Sequence, residues 1–258
     1  MPEARVVAIA NQKGGVGKTT TAVNLGAALA ELGHKVIIVD LDAQGNASTG
    51  LGIPPEKREL TVFDLLAGEE TLAQCRQATD IENLSLVPST SDLASADIQF
   101  SAQAGRTHLL RHKVRGIQDV DFILIDCPPA LGLLTLNAMV ASDSILVPLQ
   151  AEFYALEGLS QLLTTVREVR RSANPDLRIE GVLLTMADTR NNLSQQVEAD
   201  ARNTLSDLVY KTVIPRNVRL SEAPSHAMPV LNYDSASKGS GAYRSLAREF
   251  LDRQMAIA

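Results

Sequence analysis

Tryptophan is missing from this 258-residue chain, and aromatic residues make up only 3% of it. Proteins that read single-stranded nucleic acid stack bases on exposed rings, so that class of binder is set aside. Cysteine is equally scarce. Cys75 and Cys127 lie far apart without the spacing of zinc ligands, which leaves neither a disulfide scaffold nor a zinc module and makes both expected structural thiols in a reducing compartment. No stretch approaches the roughly 18 consecutive apolar residues of a membrane span, and the first residues carry no basic segment leading into an apolar one, so neither membrane insertion nor secretion is expected. Internal repeats, low-complexity tracts and long Pro/Gly/Ser linkers are also absent. One domain covering residues 1–258 is the resulting expectation, long enough to bury a core without staples. The net charge of -6 and pI near 5.3 argue against nucleic acid for the molecule as a whole.

Short apolar runs recur at 6–10, 36–39, 122–125, 145–147 and 182–184. Unbroken runs of this length suit strands buried on both faces. Between them lie helical patterns: Leu25, Leu29 and Leu32 before a stop at Gly33, then Leu156, Leu159, Leu163 and Val166. Strand alternating with helix predicts an α/β fold, a doubly wound, mostly parallel twisted sheet with helices on both faces. Prolines 54, 55, 215, 224 and 229 fall in presumed loops, where a missing backbone donor does least harm.

The first strand runs into Asn11-Gln-Lys-Gly-Gly-Val-Gly-Lys-Thr-Thr20 and then directly into a helix. Gly14, Gly15 and Gly17 let backbone N–H groups, including that of Val16, turn inward around an anion. Lys18 adds a point charge for β- and γ-phosphates, and Thr19 offers a hydroxyl to magnesium beside Thr20. The match to the ordinary phosphate loop is incomplete, because Gln12 stands where the first glycine belongs and a second lysine, Lys13, precedes the glycine pair. A dinucleotide turn is the competing reading, since Gly15-x-Gly17 starts its pattern and Asp40 lies where a ribose-binding acid belongs; Thr20 breaks that pattern, and Lys18 and Thr19 have no task in it.

The loop KGGVGKTT resembles that of the deviant Walker A ATPases. Together with VDLDAQGNAST (39–49), DFILIDCPP (121–129) and IPRNVRLSEAPS (214–225), the sequence resembles the ParA/Soj branch of chromosome-partition ATPases over essentially its whole length. The resemblance implies ATP and Mg2+ as cofactors, slow hydrolysis, and a nucleotide-sandwich homodimer in which Lys13 reaches the partner's phosphates. It implies a first switch at Asp40 and Asp42, with Asp42 orienting the attacking water and Asp40 in the magnesium shell. Asp126, after an apolar strand, is implied to read magnesium, and Pro128 and Pro129 to stiffen a second switch. Adenine contacts are implied at Met186 and at Pro215, Arg216, Asn217 and Val218, with Asp188 in the preceding loop. On residues alone, turn capping stays open for Asp40 and Asp42, and a plain surface turn for 215–217. The nitrogenase iron protein shares such a loop and bridges an iron–sulfur cluster, but Cys75 lies in an unrelated segment, so no cluster is expected.

Acidity overall does not forbid a local basic patch. Between Leu208 and Arg248 the basic residues are Lys211, Arg216, Arg219, Lys238, Arg244 and Arg248, against only Glu222 and Asp234. Such a patch suits nonspecific, salt-sensitive phosphate binding. By resemblance Arg190 and Arg219 are the leading DNA contacts, followed by Arg216, Lys211 and Lys238, with double-stranded DNA and a ParB-like activator as partners in a cytoplasmic, nucleoid-associated protein. The stretch 106–115, with Arg111, Lys113 and Arg115, reads as a solvated helix face. With ten residues before the loop motif, no operator-binding helix-turn-helix module is expected. The alternative is a MinD-like membrane-positioning ATPase, for which Tyr243, Leu246, Ala247, Phe250 and Leu251 supply an apolar tail stripe; interrupted by Glu249 and Asp252 on its polar face, that stripe is expected to pack on the core.

Overall fold

The computed structural model describes residues 3–68, 70–152, 155–188 and 190–255, with side chains of 155–157 outside that set, so the position of the Leu156 side chain lies outside the described residues. Seven strands form one sheet in the order β3-β4-β2-β5-β1-β6-β7: β1 Arg5–Ile9, β2 Val36–Asp40, β3 Gln77–Ala78, β4 Leu84–Val87, β5 Phe122–Asp126, β6 Ser144–Gln150 and β7 Arg178–Thr185. All pairings are parallel except the short β3–β4 contact, which is antiparallel. Along the chain run α1 Lys18–Glu31, α2 Asn46–Gly50, α3 Val62–Ala67, α4 Leu72–Cys75, α5 Ala96–Gln99, α6 Arg111–Val114, α7 Leu133–Ala141, α8 Ala155–Ser172, α9 Asn192–Leu205, α10 Val218–Glu222, α11 Val230–Tyr233 and α12 Lys238–Met255.

Strand alternation sorts the apolar runs into two layers. Val6, Ala8, Ile37, Val39, Ile123, Ile125, Ile145 and Val147 face one cluster, which α7, α8 and α9 cover. Val7, Ile9, Val36, Ile38, Leu124 and Leu146 face the other, covered by α1 and α12. This two-sided burial is why the runs are continuous rather than alternating. The tail stripe packs as expected: Tyr243, Leu246, Ala247 and Phe250 are buried in the second layer, with Leu251 partly buried against it. Among the described residues no helix is long and apolar enough to cross a membrane.

Two strands escape the sequence pattern. Leu84–Val87 is only four residues with Ser85 in its middle, and Gln77–Ala78 is a two-residue edge; neither gives a period to read. The 106–115 segment also differs from expectation. Its cations bind backbone carbonyls and a carboxylate instead of water alone: Arg111 donates to Val140 O, Lys113 to Glu70 O, and Arg115 to Asp143 at 2.8 Å. These carbonyls and the carboxylate come from segments distant in sequence, which periodicity does not reveal.

The register positions the chemistry. Asp126 pairs with Ile9 on one side and with Asp40 on the other. The carboxyl ends of β1, β2 and β5 therefore finish level, and the loops leaving them share one rim, where open α/β sheets hold ligands.

Candidate nucleotide site

The loop after β1 is fastened at its base. Asn11, buried, donates through Nδ2 to Pro148 O at 2.8 Å and accepts from Lys13 N at 3.0 Å. At its far end Thr185 Oγ1 donates to Val16 O at 2.8 Å. Gly17 then enters α1 at φ 89°, a left-handed conformation that disfavours any side chain, and α1 starts with no side-chain cap. Its first N–H groups and its dipole are thus left to an anion.

The two lysines of this loop behave differently. Lys18 is buried and turns inward, donating to Lys13 O at 3.0 Å. Desolvation pulls its pKa down, opposed by the nearby acids Asp126 and Asp42. Lys13 turns outward and pairs with Glu152 at 3.0 Å, both side chains being well exposed at 39% and 49%. Lys18 therefore points into the loop of its own chain, while Lys13 is held at the rim by a solvent-facing carboxylate, which in turn accepts from Gln150.

The acids divide in the same way. Asp40 is fully buried and engaged, its Oδ2 accepting from Ser48 N at 2.9 Å and Ser48 Oγ at 2.7 Å and its Oδ1 from Asp42 N at 3.2 Å. Asp42 is half-buried; one oxygen accepts from Gln44 N at 3.0 Å, and the other makes no hydrogen bond among the described residues. Turn capping is therefore part of what both acids do. Asp126 is different: it is fully buried, and among the described residues neither carboxylate oxygen makes a hydrogen bond, although the Thr19 hydroxyl lies close enough to act on it. Burial drives its pKa up and the neighbouring Asp40 adds to this, while Thr19 and Lys18 act to hold it down. A buried unpartnered carboxylate is costly unless a cation completes it. The place where Thr19, Asp126 and Lys18 meet thus fits magnesium on a phosphate. Among the described residues no three acidic, imidazole or thiol side chains form a self-sufficient metal cage, and magnesium is commonly held by one or two carboxylates plus phosphate oxygens.

Beside the loop lies a cleft of about 330 Å³ whose lining includes Gly17, Thr20, Met186, Pro215, Arg216 and Asn217. Met186 adopts φ 53°, an uncommon conformation for a non-glycine residue. It is held there because Ala187 N donates to Ile214 O and Arg216 N to Ala187 O at 2.9 Å. Asn217 caps α10 through Arg219 N. Val218 does not join the cleft lining; it is 69% exposed on the first turn of α10.

Three contributors were given no role by the sequence, two of them, Glu152 and Arg58, outside the motifs. Ser48 links Asp40 to Ser89 N. Glu152 holds Lys13 across 139 residues of sequence. Arg58, only 8% exposed, donates to Ile53 O, Ser89 O and Thr49 Oγ1 at 2.8 to 2.9 Å, and its guanidinium lies where a side chain at Gly45 would sit. It thereby ties the turn that follows Asp42 to the end of β4. Ser48 stands inside a quoted motif and was visible as a hydroxyl near Asp40; nothing local marks Arg58 or Glu152.

Of the basic candidates, Arg190 forms a fork with Asp188 at 2.9 to 3.0 Å, pulling the Asp188 pKa down to about 2. Arg219 pairs with Glu222 at 2.9 Å and Asp234 at 3.1 Å. Arg216, Lys211 and Lys238 are exposed. Cys75 and Cys127 are free and buried, and burial raises both thiols, which makes them unreactive core residues.

A glycine loop leading into an uncapped helix, an inward lysine and a buried carboxylate awaiting a cation define an ATPase of the P-loop class that works with ATP and Mg2+. The family model described as "AAA domain" matches residues 4–179. The chain is 53% identical over 246 residues to the Bacillus subtilis sporulation initiation inhibitor protein Soj, covering 95% of this chain and 97% of that one. It is 52% identical over 253 residues to the Caulobacter vibrioides chromosome partitioning protein ParA, covering 97% and 95%. Among solved structures it is similar to a Mycobacterium smegmatis cobyrinic acid a,c-diamide synthase with bound ADP and magnesium, at TM-score 0.85, 37% identity, and 99% and 97% coverage. It is also similar to the Pyrococcus furiosus cell division ATPase MinD, at TM-score 0.80, 28% identity, and 96% and 99% coverage. The chain belongs to the ParA/Soj family of chromosome-partitioning ATPases.

Proposed function

We propose that this partition ATPase is a nucleotide-controlled DNA switch: two copies close around Mg-ATP, the closed homodimer holds double-stranded DNA without sequence preference, and a ParB-like activator speeds hydrolysis to release it. In this reading the protein works in the cytoplasm on the nucleoid as one ATPase domain. The observation that carries it is the opposed pair of lysines. Lys18 is committed to its own loop. Lys13 faces outward with a weak exposed partner, and exposed ion pairs contribute only about 0–1 kcal/mol, so exchange of Glu152 for a phosphate on a second copy costs little.

The residue roles follow. The loop N–H groups of residues 14–19 and Lys18 bind the phosphates, with Thr19 and Asp126 holding magnesium and Asp40 shaping that site through Ser48 and Asp42 N. Asp42 offers its unpaired oxygen to the attacking water, accepting or orienting its proton. Met186 and Pro215 to Asn217 frame the base. Arg190 and Arg219, with Arg216, Lys211 and Lys238, meet phosphates of DNA. Both leading arginines must leave a carboxylate of their own chain to do so, which keeps single-copy affinity low and lets pairing of two patches set DNA binding. The diamide synthase likeness supports the fold and the nucleotide site; the higher identity to Soj and ParA favours partition over amide synthesis.

DNA binding measured with ATP, ADP and no nucleotide across a salt series tests this reading. Tight, salt-sensitive binding with ATP alone is expected, and Lys13→Ala should lose it while still binding nucleotide. Equal binding in all three states contradicts the switch.

A further inference from the structure

The leading DNA arginines are self-paired, yet other arginines form no salt bridge among the described residues. On α8, Leu159, Leu162, Val166 and Val169 are buried in the core, while Arg167, Arg170 and Arg171 are exposed. The spacing i, i+3, i+4 places the three guanidinium groups on one face. The turn after α8, closed by Asn174 N on Val169 O and Leu177 N on Asn174 O, brings the chain to Arg178 at the start of β7, also exposed. None of the four takes part in a salt bridge among the described residues. The acids nearest in sequence, Glu168 and Asp176, are exposed and likewise form no salt bridge among the described residues.

A helix C-terminus favours cations in its last turn, which accounts for Arg170 and Arg171. It does not account for Arg167 one turn earlier or for Arg178 on the strand. Four unpaired cations of one sign repel each other, in a chain whose net charge is -6, and an external polyanion relieves that repulsion.

We infer that this arginine ridge at the C-terminal end of α8 is a second contact for the DNA phosphate backbone, distinct from the Arg190 and Arg219 patch; it rests on the DNA-switch reading above. A protein partner fits less well. Leu159, Leu162, Val166 and Val169 of α8 are turned into the core, so the ridge beside them lacks the aromatic or aliphatic anchor around which stable protein interfaces form, whereas nonspecific DNA contact needs charge alone. Placement supports a shared track. β7 is the last strand of the sheet; the ridge lies at its beginning, and Arg190 follows its end. The eight residues of β7 span about 26 Å, or roughly eight base pairs at about 3.4 Å each.

The test compares wild type with the triple variant Arg167→Gln, Arg170→Gln, Arg171→Gln, using a duplex of arbitrary sequence and a slowly hydrolysed ATP analogue over a salt series. Unchanged basal ATPase activity and unchanged ATP-dependent mass establish that the variant is folded. The ridge predicts a fall in affinity of at least about tenfold at low salt and a salt slope shallower by about 2 to 3, near 0.9 per lost phosphate contact. Wild-type binding with an unchanged slope in the variant overturns the ridge and leaves the switch standing. Absence of DNA binding by wild type in every nucleotide state overturns both. Polyglutamate held by wild type as tightly as the duplex, and lost in the variant, overturns DNA as the occupant in favour of an acidic protein. If the triple variant misfolds, Arg170→Gln alone should still lower the slope by about 1, and an unchanged slope there counts equally against the ridge.

Discussion

At the scale of residues, Asp126 is the clearest mark of function. Both its oxygens are buried and make no hydrogen bond among the described residues, so in the metal-free protein Thr19 and Lys18 compensate its ionised form only in part. Its pKa is raised in the folded state chiefly by burial; ionisation is therefore easier in the unfolded chain, and stability declines as pH rises from the unfolded value near 4 through the raised folded value. Asp126→Asn removes that penalty. The metal-free variant should be more stable than wild type at pH 8 by about 1–3 kcal/mol, with the difference shrinking toward pH 4, and should lose the extra melting temperature that Mg2+ adds to nucleotide-bound wild type. Calorimetry across pH with and without Mg2+ checks both; a variant less stable than wild type at pH 8 contradicts the assignment. Lys13 and Lys18 were legible as a pair from their spacing, but their opposite directions were not. Those depend on Glu152, brought alongside only when β6 lines up next to β1.

At the scale of elements, the strands with unbroken runs could be read from sequence because burial on both faces forces apolar residues at every position. β4 could not, because Ser85 sits at a position that tolerates a hydroxyl: it accepts from Arg76 and donates to Val36 O. The convergence of Asp40 and Asp126 is a fact of register, fixed when β5 inserts between β1 and β2. The turn after Asp42, proposed as the first switch, depends on a residue outside every motif. Arg58 ties Thr49, Ile53 and Ser89 together beneath the Asp42 turn, and Arg58→Met leaves two buried carbonyls without a donor. We expect a loss of roughly 2–4 kcal/mol in stability and a kcat for ATP hydrolysis lowered about tenfold or more, with KM changed less than kcat because the phosphate loop is untouched. Steady-state kinetics below the variant's melting temperature decides. A KM defect with normal kcat places Arg58 in nucleotide binding instead. Asp42→Ala is the companion variant. Retained ATP binding with turnover near zero is expected, and wild-type turnover excludes the water-orienting role.

At the scale of the whole molecule, the proposed switch asks an acidic protein to hold an acidic polymer, and the distribution of charge bears on that conflict. Arg190 and Arg219 are neutralised by acids of their own chain, so in a lone copy the two leading arginines of that patch offer little free charge. Arg219→Glu should abolish DNA binding while leaving the ATP-dependent mass unchanged, checked by fluorescence anisotropy and light scattering on the same samples. The fold, the phosphate loop and the family could be read in the sequence because each is written in contiguous residues. The ion pairs that set resting states, Lys13 with Glu152 and Arg219 with Asp234, are long-range and appear only in the folded chain. Everything rests on ATP joining two copies, and the direct measurement is the solution mass of the hydrolysis-blocked Asp42→Ala protein by multi-angle light scattering. With Mg-ATP a mass twice that of the 27.7 kDa chain is expected, returning to a single chain with Mg-ADP; a single-chain mass in both nucleotides contradicts the account.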